Sequence, residues 1–128
     1  MAPPSGAMLS VIVTPPGGPD DIANLFARLV PAAVDGLVRE VFYAAPDADQ
    51  LAPLCEEAGA RTATSLEAAR GQARGPWLLI APATFRPAED WQDRVGAHLA
   101  RGSGVLKLKG IKPGGLFARA PTAELRPL

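Results

Sequence analysis

The chain is poor in the side chains that most often carry out chemistry. It has one cysteine, Cys55, and one histidine, His98, among 128 residues. A lone cysteine excludes an internal disulfide and a cysteine-based zinc cluster, and suits a reducing compartment. With one Cys and one His, the usual nitrogen and sulfur ligand sets for transition metals cannot be assembled within one chain, so a metal would have to sit on carboxylates. Long apolar runs are missing as well. Hydrophobic residues make up 48% of the sequence, yet stretches such as Trp77 to Ala81 fall far short of the roughly 20 residues of a membrane helix, and no membrane span is expected. Excess charge is also absent: 13 basic residues balance 13 acidic ones. No global field therefore steers the protein toward nucleic acid or an anionic membrane, and nucleic acid is not an expected partner. Residues 1–7 carry no positive n-region and no apolar h-region, so no secretory signal is read there and a cytoplasmic location is expected.

Proline and glycine, at 14 and 13 residues, are plentiful and punctuate the chain. Met8 to Val13 is a β-branched apolar run closed by Thr14-Pro-Pro-Gly-Gly-Pro19, which predicts a buried strand and a turn. Asp20 and Asp21 open a helix with Ile22, Leu25, Phe26 and Leu29 at helical spacing, and Pro31 is expected to stop it. A second strand spans Leu37 to Tyr43, and a helix from Pro46-Asp47 runs through Leu51, Leu54 and Cys55 to Gly59. A short strand at about 60–64, a weak helix at 66–73 and a strand at 77–81 follow. Pro87 opens a fourth helix bearing Trp91, Val95 and Leu99. Beyond Gly104 the pattern becomes Val105-Leu-Lys-Leu-Lys109, a Pro-Gly-Gly turn at 113–115 and Leu116 to Ala120, which predicts an antiparallel hairpin or edge strands.

Strands alternating with helices imply an α/β fold with a mostly parallel sheet and helices on both faces. The length suits one domain across 1–128, with 1–7 and 121–128 expected to be flexible. The charge is unevenly spread: from Arg101 onward, Lys107, Lys109, Lys112, Arg119 and Arg126 meet only Glu124. Such a patch either guards a solvated sheet edge or docks an acidic partner or a phosphate.

The order of elements resembles the nucleotide-binding half of a family 2 glycosyltransferase, the Rossmann-like part of the GT-A fold, especially in short bacterial members. Ser10-Val-Ile-Val-Thr-Pro15 resembles the opening strand and Pro-Thr loop of that family, and Arg39-Glu-Val-Phe-Tyr43 its second strand. Cys55-Glu-Glu-Ala-Gly-Ala-Arg61 resembles the approach to the third strand, and Ala73-Arg-Gly-Pro-Trp-Leu-Leu-Ile80 the stretch that leads to the metal site. The resemblance covers about residues 8–101. It implies an Asp after the second strand to contact the base, where this chain has Ala44 and Ala45. It also implies an Asp-containing motif after the fourth strand to hold a divalent cation, where this chain has Ala81-Pro-Ala-Thr-Phe85. A methyl group accepts no hydrogen bond, and a neutral hydroxyl such as that of Thr84 is a poor ligand for a hard cation.

On this reading the nucleotide-binding candidates are Thr14, Pro15, Pro16, Gly17, Ala45, Asp47, Asp49 and Thr84, with Arg70 and Arg74, four apart on the third helix, facing a diphosphate. Each has a plainer role. The Pro-Pro-Gly-Gly turn links strand to helix, Asp47 and Asp49 cap a helix, the two arginines occupy an exposed face, and His98 lies at the surface or boundary. No catalytic residue and no metal ligand is assigned, and Glu124 is expected to be solvated in a Pro-flanked tail. The expectation is a degenerate, catalytically inactive glycosyltransferase-like domain, a pseudoenzyme without a cofactor. It would act as a binding or interaction module for a protein partner and form a homodimer through edge strands. The alternative is an active transferase or nucleotide-sugar-binding protein with an atypical site and a divalent cation.

Overall fold

The computed structural model describes residues 8–111 and 120–128. In chain order they form β1 (Leu9–Thr14), α1 (Pro19–Val34), β2 (Val38–Ala44), a 3-10 turn (Ala48–Leu51) leading into α2 (Ala52–Glu57), β3 (Arg61–Ala63), α3 (Leu66–Gln72), β4 (Trp77–Pro82), α4 (Trp91–Arg101), β5 (Leu106–Lys109) and β6 (Thr122–Pro127). The fold is α/β, with one mixed six-stranded sheet in the order β3-β2-β1-β4-β6-β5. β3, β2, β1 and β4 are parallel, while β6 runs antiparallel to both β4 and β5.

β1 is central and almost continuously apolar because both of its faces are covered. Leu9, Val11 and Val13 pack into one core with Ile22, Leu25 and Leu29 of α1, Cys55 of α2, and Trp91 and Val95 of α4. Ile12 faces the opposite way and packs with Phe42, Leu78 and Ala69 of α3. Helices therefore lie on both faces, as the alternating pattern predicts.

Three expectations about elements need correction. α1 does not stop at Pro31 but runs to Val34. Proline there forgoes the bond its N–H would have made to the Ala27 carbonyl and crowds that carbonyl, but continuing the helix buries Ala32 completely and lets the Asp35 N–H bond the Pro31 carbonyl at 2.9 Å. α4 starts at Trp91, four residues after Pro87, and His98, expected at the surface or boundary, is 9% exposed within it. Its position seven residues after Trp91 puts it on the same helical stripe, where its ring meets the Trp77 indole edge-on at 5.6 Å and its Nε2 pairs with the Gly104 carbonyl at 2.9 Å.

The third correction concerns the C-terminal residues. In place of a flexible tail at 121–128, Thr122–Pro127 forms an inner strand between β4 and β5, with Leu79 and Leu106 both opposite Leu125. The reason is a period of two: Ala123 and Leu125 are fully buried, while Glu124 and Arg126 point to the other face and pair at 3.1 Å. Pro121 precedes the strand and Pro127 is its last residue, so no proline interrupts its interior. Of the expected hairpin, the turn at 112–115 and all but the last residue of the strand at 116–120 lie outside the described residues, as does the segment 1–7.

Candidate functional site

The carboxyl ends of β1, β2 and β4 point the same way, and open α/β sheets bind ligands in the crevice beyond those ends. Thr14 ends β1, and the chain then turns through a cis Pro15–Pro16 bond into Gly17. Gly17 has φ +141°, and a Cβ placed there would stand 2.5 Å from the Ala83 Cβ. Only glycine meets both conditions at this position. The loop after β4 lies directly against this turn: the Ala83 N–H bonds the Thr14 carbonyl at 2.7 Å, and the Thr84 N–H bonds the Pro16 carbonyl at 3.3 Å. The fold thus brings Thr14, Pro15, Pro16, Gly17 and Thr84, five of the candidates, into one cluster. The Thr14 and Pro16 carbonyls are thereby paired with the loop after β4.

The space above β4 is occupied by protein. Phe85 is 1% exposed. A Cβ on Gly110, just past β5, would meet the Arg86 carbonyl at 2.9 Å and the Phe85 ring at 3.0 Å, and the Ile111 N–H bonds the Arg86 carbonyl at 2.7 Å. The rim carries a polar pair that sequence reasoning missed. Arg86 bonds Asp21 at 2.8 Å and also donates to the carbonyls of Ala83 and Phe85. Asp21 reaches back with its other oxygen to the Gly18 N–H at 3.1 Å, closing the start of α1. Asp21 was visible as a helix-opening acid; its partner, 65 residues away, had no local signal.

Beyond β2, Ala45 is buried, and its N–H is bonded to the Ala63 carbonyl at 3.0 Å. Asp47 and Asp49 are exposed, Asp47 just before the 3-10 turn and Asp49 within it rather than capping it. Asp47 holds the capping position but makes no side-chain capping bond, which corrects the role expected of it. It lies close enough to the buried Tyr43 phenol to matter: burial first, then the Asp47 charge, push that phenol above its ordinary value. Burial likewise pushes the Cys55 thiol up, so it is not primed as a nucleophile at neutral pH.

The two arginines do not face the crevice together. Arg70 is exposed on α3, whereas Arg74 lies beyond the end of that helix, next to the residues that enter β4 at the opposite end of the sheet. There its backbone N–H meets a Glu40 oxygen. Glu40 also accepts from the fully buried Ser10 hydroxyl at 2.6 Å and from Arg61 at 3.5 Å, while the Gly75 N–H donates to Ser10 at 2.9 Å. Burial would raise the Glu40 carboxyl, but the Ser10 and Arg74 bonds and the charges of Arg61 and Arg39 together hold it below its ordinary value. This network ties β1, β2 and β3 to the start of β4; it is an architectural use of charge.

Among the described residues, no three His, Cys, Asp or Glu side chains come together as a group that could hold a metal ion. No described helix is long and apolar enough to cross a membrane. Compared with models of known protein families, with curated proteins and with solved structures, the chain gives no significant match.

Proposed function

We propose that the chain is a family 2 glycosyltransferase-like domain that serves as a binding or interaction module and does not transfer sugar. The parallel order β3-β2-β1-β4, covered on both faces, is what the resemblance leads one to expect of a nucleotide-binding half. The observation that carries the reading is the contact between the loops after β1 and β4. Where the resemblance calls for cation-binding acids, the Ala83 methyl packs on Gly17 and the Thr84 N–H is bonded to Pro16. A pyrophosphate and its cation need anionic oxygen and open space, and this contact supplies neither.

A second reading, an active transferase or nucleotide-sugar binder with an atypical site, draws on one observation: Asp47 is exposed and makes no capping bond. Its carboxylate could accept from a nucleotide base. The position of Arg74 at the far end of the sheet counts against it. Calorimetric titration of the purified chain with UDP- and GDP-sugars, with and without Mn²⁺, separates the two. The interaction module gives no metal-dependent heat; metal-dependent binding that Asp47→Asn abolishes supports the transferase.

A further inference from the structure

β5 forms one edge of the sheet and, among the described residues, pairs with β6 alone. Half of its backbone donors and acceptors therefore point away from the sheet. Its side chains alternate: Leu108 is buried and Leu106 half-buried on the α4 side, while Lys107 and Lys109 are exposed on the other. Glu124, opposite Lys107 on β6, is engaged by Arg126, and neither lysine has a carboxylate within 4.0 Å among the described residues. On the α4 side a hollow of about 220 Å³ runs between helix and strand, lined by Arg94, Ala97, His98, Arg101 and Leu106. No acid lines it. Among the described residues, the edge thus presents unpaired backbone groups with cations on both faces.

We propose that the β5 edge docks an extended acidic segment of another protein, which adds to the sheet as a further strand. Main-chain hydrogen bonds to β5 would supply affinity, and carboxylates at every second position would meet Lys107 and Lys109 on one face. Side chains of the intervening positions would lie over the hollow beside Arg94 and Arg101. The same charges select against a second copy of this chain. Two β5 edges paired antiparallel would set lysine against lysine on one face, and like charges directly opposite destabilise a strand pair. The other edge, β3, has three residues and begins with the exposed Arg61, so it offers no acidic complement.

This inference names a partner for the binding role proposed above, yet it stands on different atoms. The nucleotide-sugar titration tests the crevice, and a peptide titration tests the edge, so either can fail alone. The probe is a fluorescein-labelled peptide, Glu-Val-Glu-Thr-Glu-Val-Glu, titrated with the full chain and followed in parallel by amide NMR of the ¹⁵N-labelled protein. The expected results are saturable binding that weakens with added salt, and shifts concentrated at 106–109. The matching lysine peptide should not bind, and N-methylation of alternate backbone amides in the acidic peptide should abolish binding. Exchanging both lysines (K107E with K109E), which are exposed, should weaken binding about tenfold, because two cross-strand attractions become repulsions. The proposal is overturned if the acidic peptide leaves 106–109 unshifted, if the N-methylated peptide binds equally well, or if sedimentation shows a dimer that K107E and K109E disrupt.

Discussion

Glu40 joins three segments that are distant in sequence, and its side chain is 12% exposed. Because its carboxyl is held below its ordinary value in the folded chain, the unfolded chain binds that proton more readily. The stabilisation is therefore complete above the unfolded value of 4.5 and is lost as pH falls through the lower folded value. Glu40→Gln should cost about 1–2 kcal/mol at neutral pH, read from denaturant midpoints, with the gap to the parent narrowing as pH falls below the unfolded value of 4.5. A gap independent of pH would remove the charge from the explanation. At Gly17, an alanine must fit both a left-handed φ and a 2.5 Å approach to Ala83. Gly17→Ala should lower stability by on the order of 2 kcal/mol or more. If it melts like the parent, the two loops are not packed as described. At this scale the sequence was only partly legible. Thr14, Gly17 and Thr84 are legible as residues at the ends of strands, but their mutual contact and the Arg86–Asp21 and Ser10–Glu40 bonds depend on remote segments that no local spacing encodes.

Elements were legible where periodicity was strong and misread where one residue type was allowed to overrule it. Pro31 reads as a helix stop, yet Ala32 beyond it continues the buried stripe of α1. Pro31→Ala restores a helical donor at an exposed position and should stabilise by about 1 kcal/mol or more in thermal or denaturant unfolding; a loss of stability would show that the proline is needed for the helix path. His98 precedes the apolar Leu99, which suggests the surface or boundary, but the stripe through Trp91 and Val95 reaches position 98 and leaves it 9% exposed. The final residues looked like a tail because Pro121 and Pro127 flank them. The alternation of Ala123 and Leu125 was the stronger signal, and burial against β4 and β5 followed it. Leu125→Ala should therefore cost about 2–5 kcal/mol, as for other fully buried leucines. A change within error would mean that 122–127 is the loose tail its prolines suggest.

At the scale of the whole molecule, the alternation of strands and helices was enough to read an α/β fold with helices on both faces. It could not give the insertion of β6 between β4 and β5, because strand order depends on which edges meet after the chain has left and returned. The same distinction separates scaffold from site: a parallel sheet creates a crevice, but side chains and loops decide whether it admits a ligand. Here Gly17, Ala83, Thr84 and Phe85 fill the space beyond β1 and β4. The most direct measurement of that claim is calorimetry of the purified chain with UDP- and GDP-sugars at millimolar concentration, in the presence and absence of Mn²⁺. The account predicts no saturable heat that depends on the cation. Stoichiometric binding that requires Mn²⁺, with a sugar donor held beside Gly17 and Thr84, would contradict it.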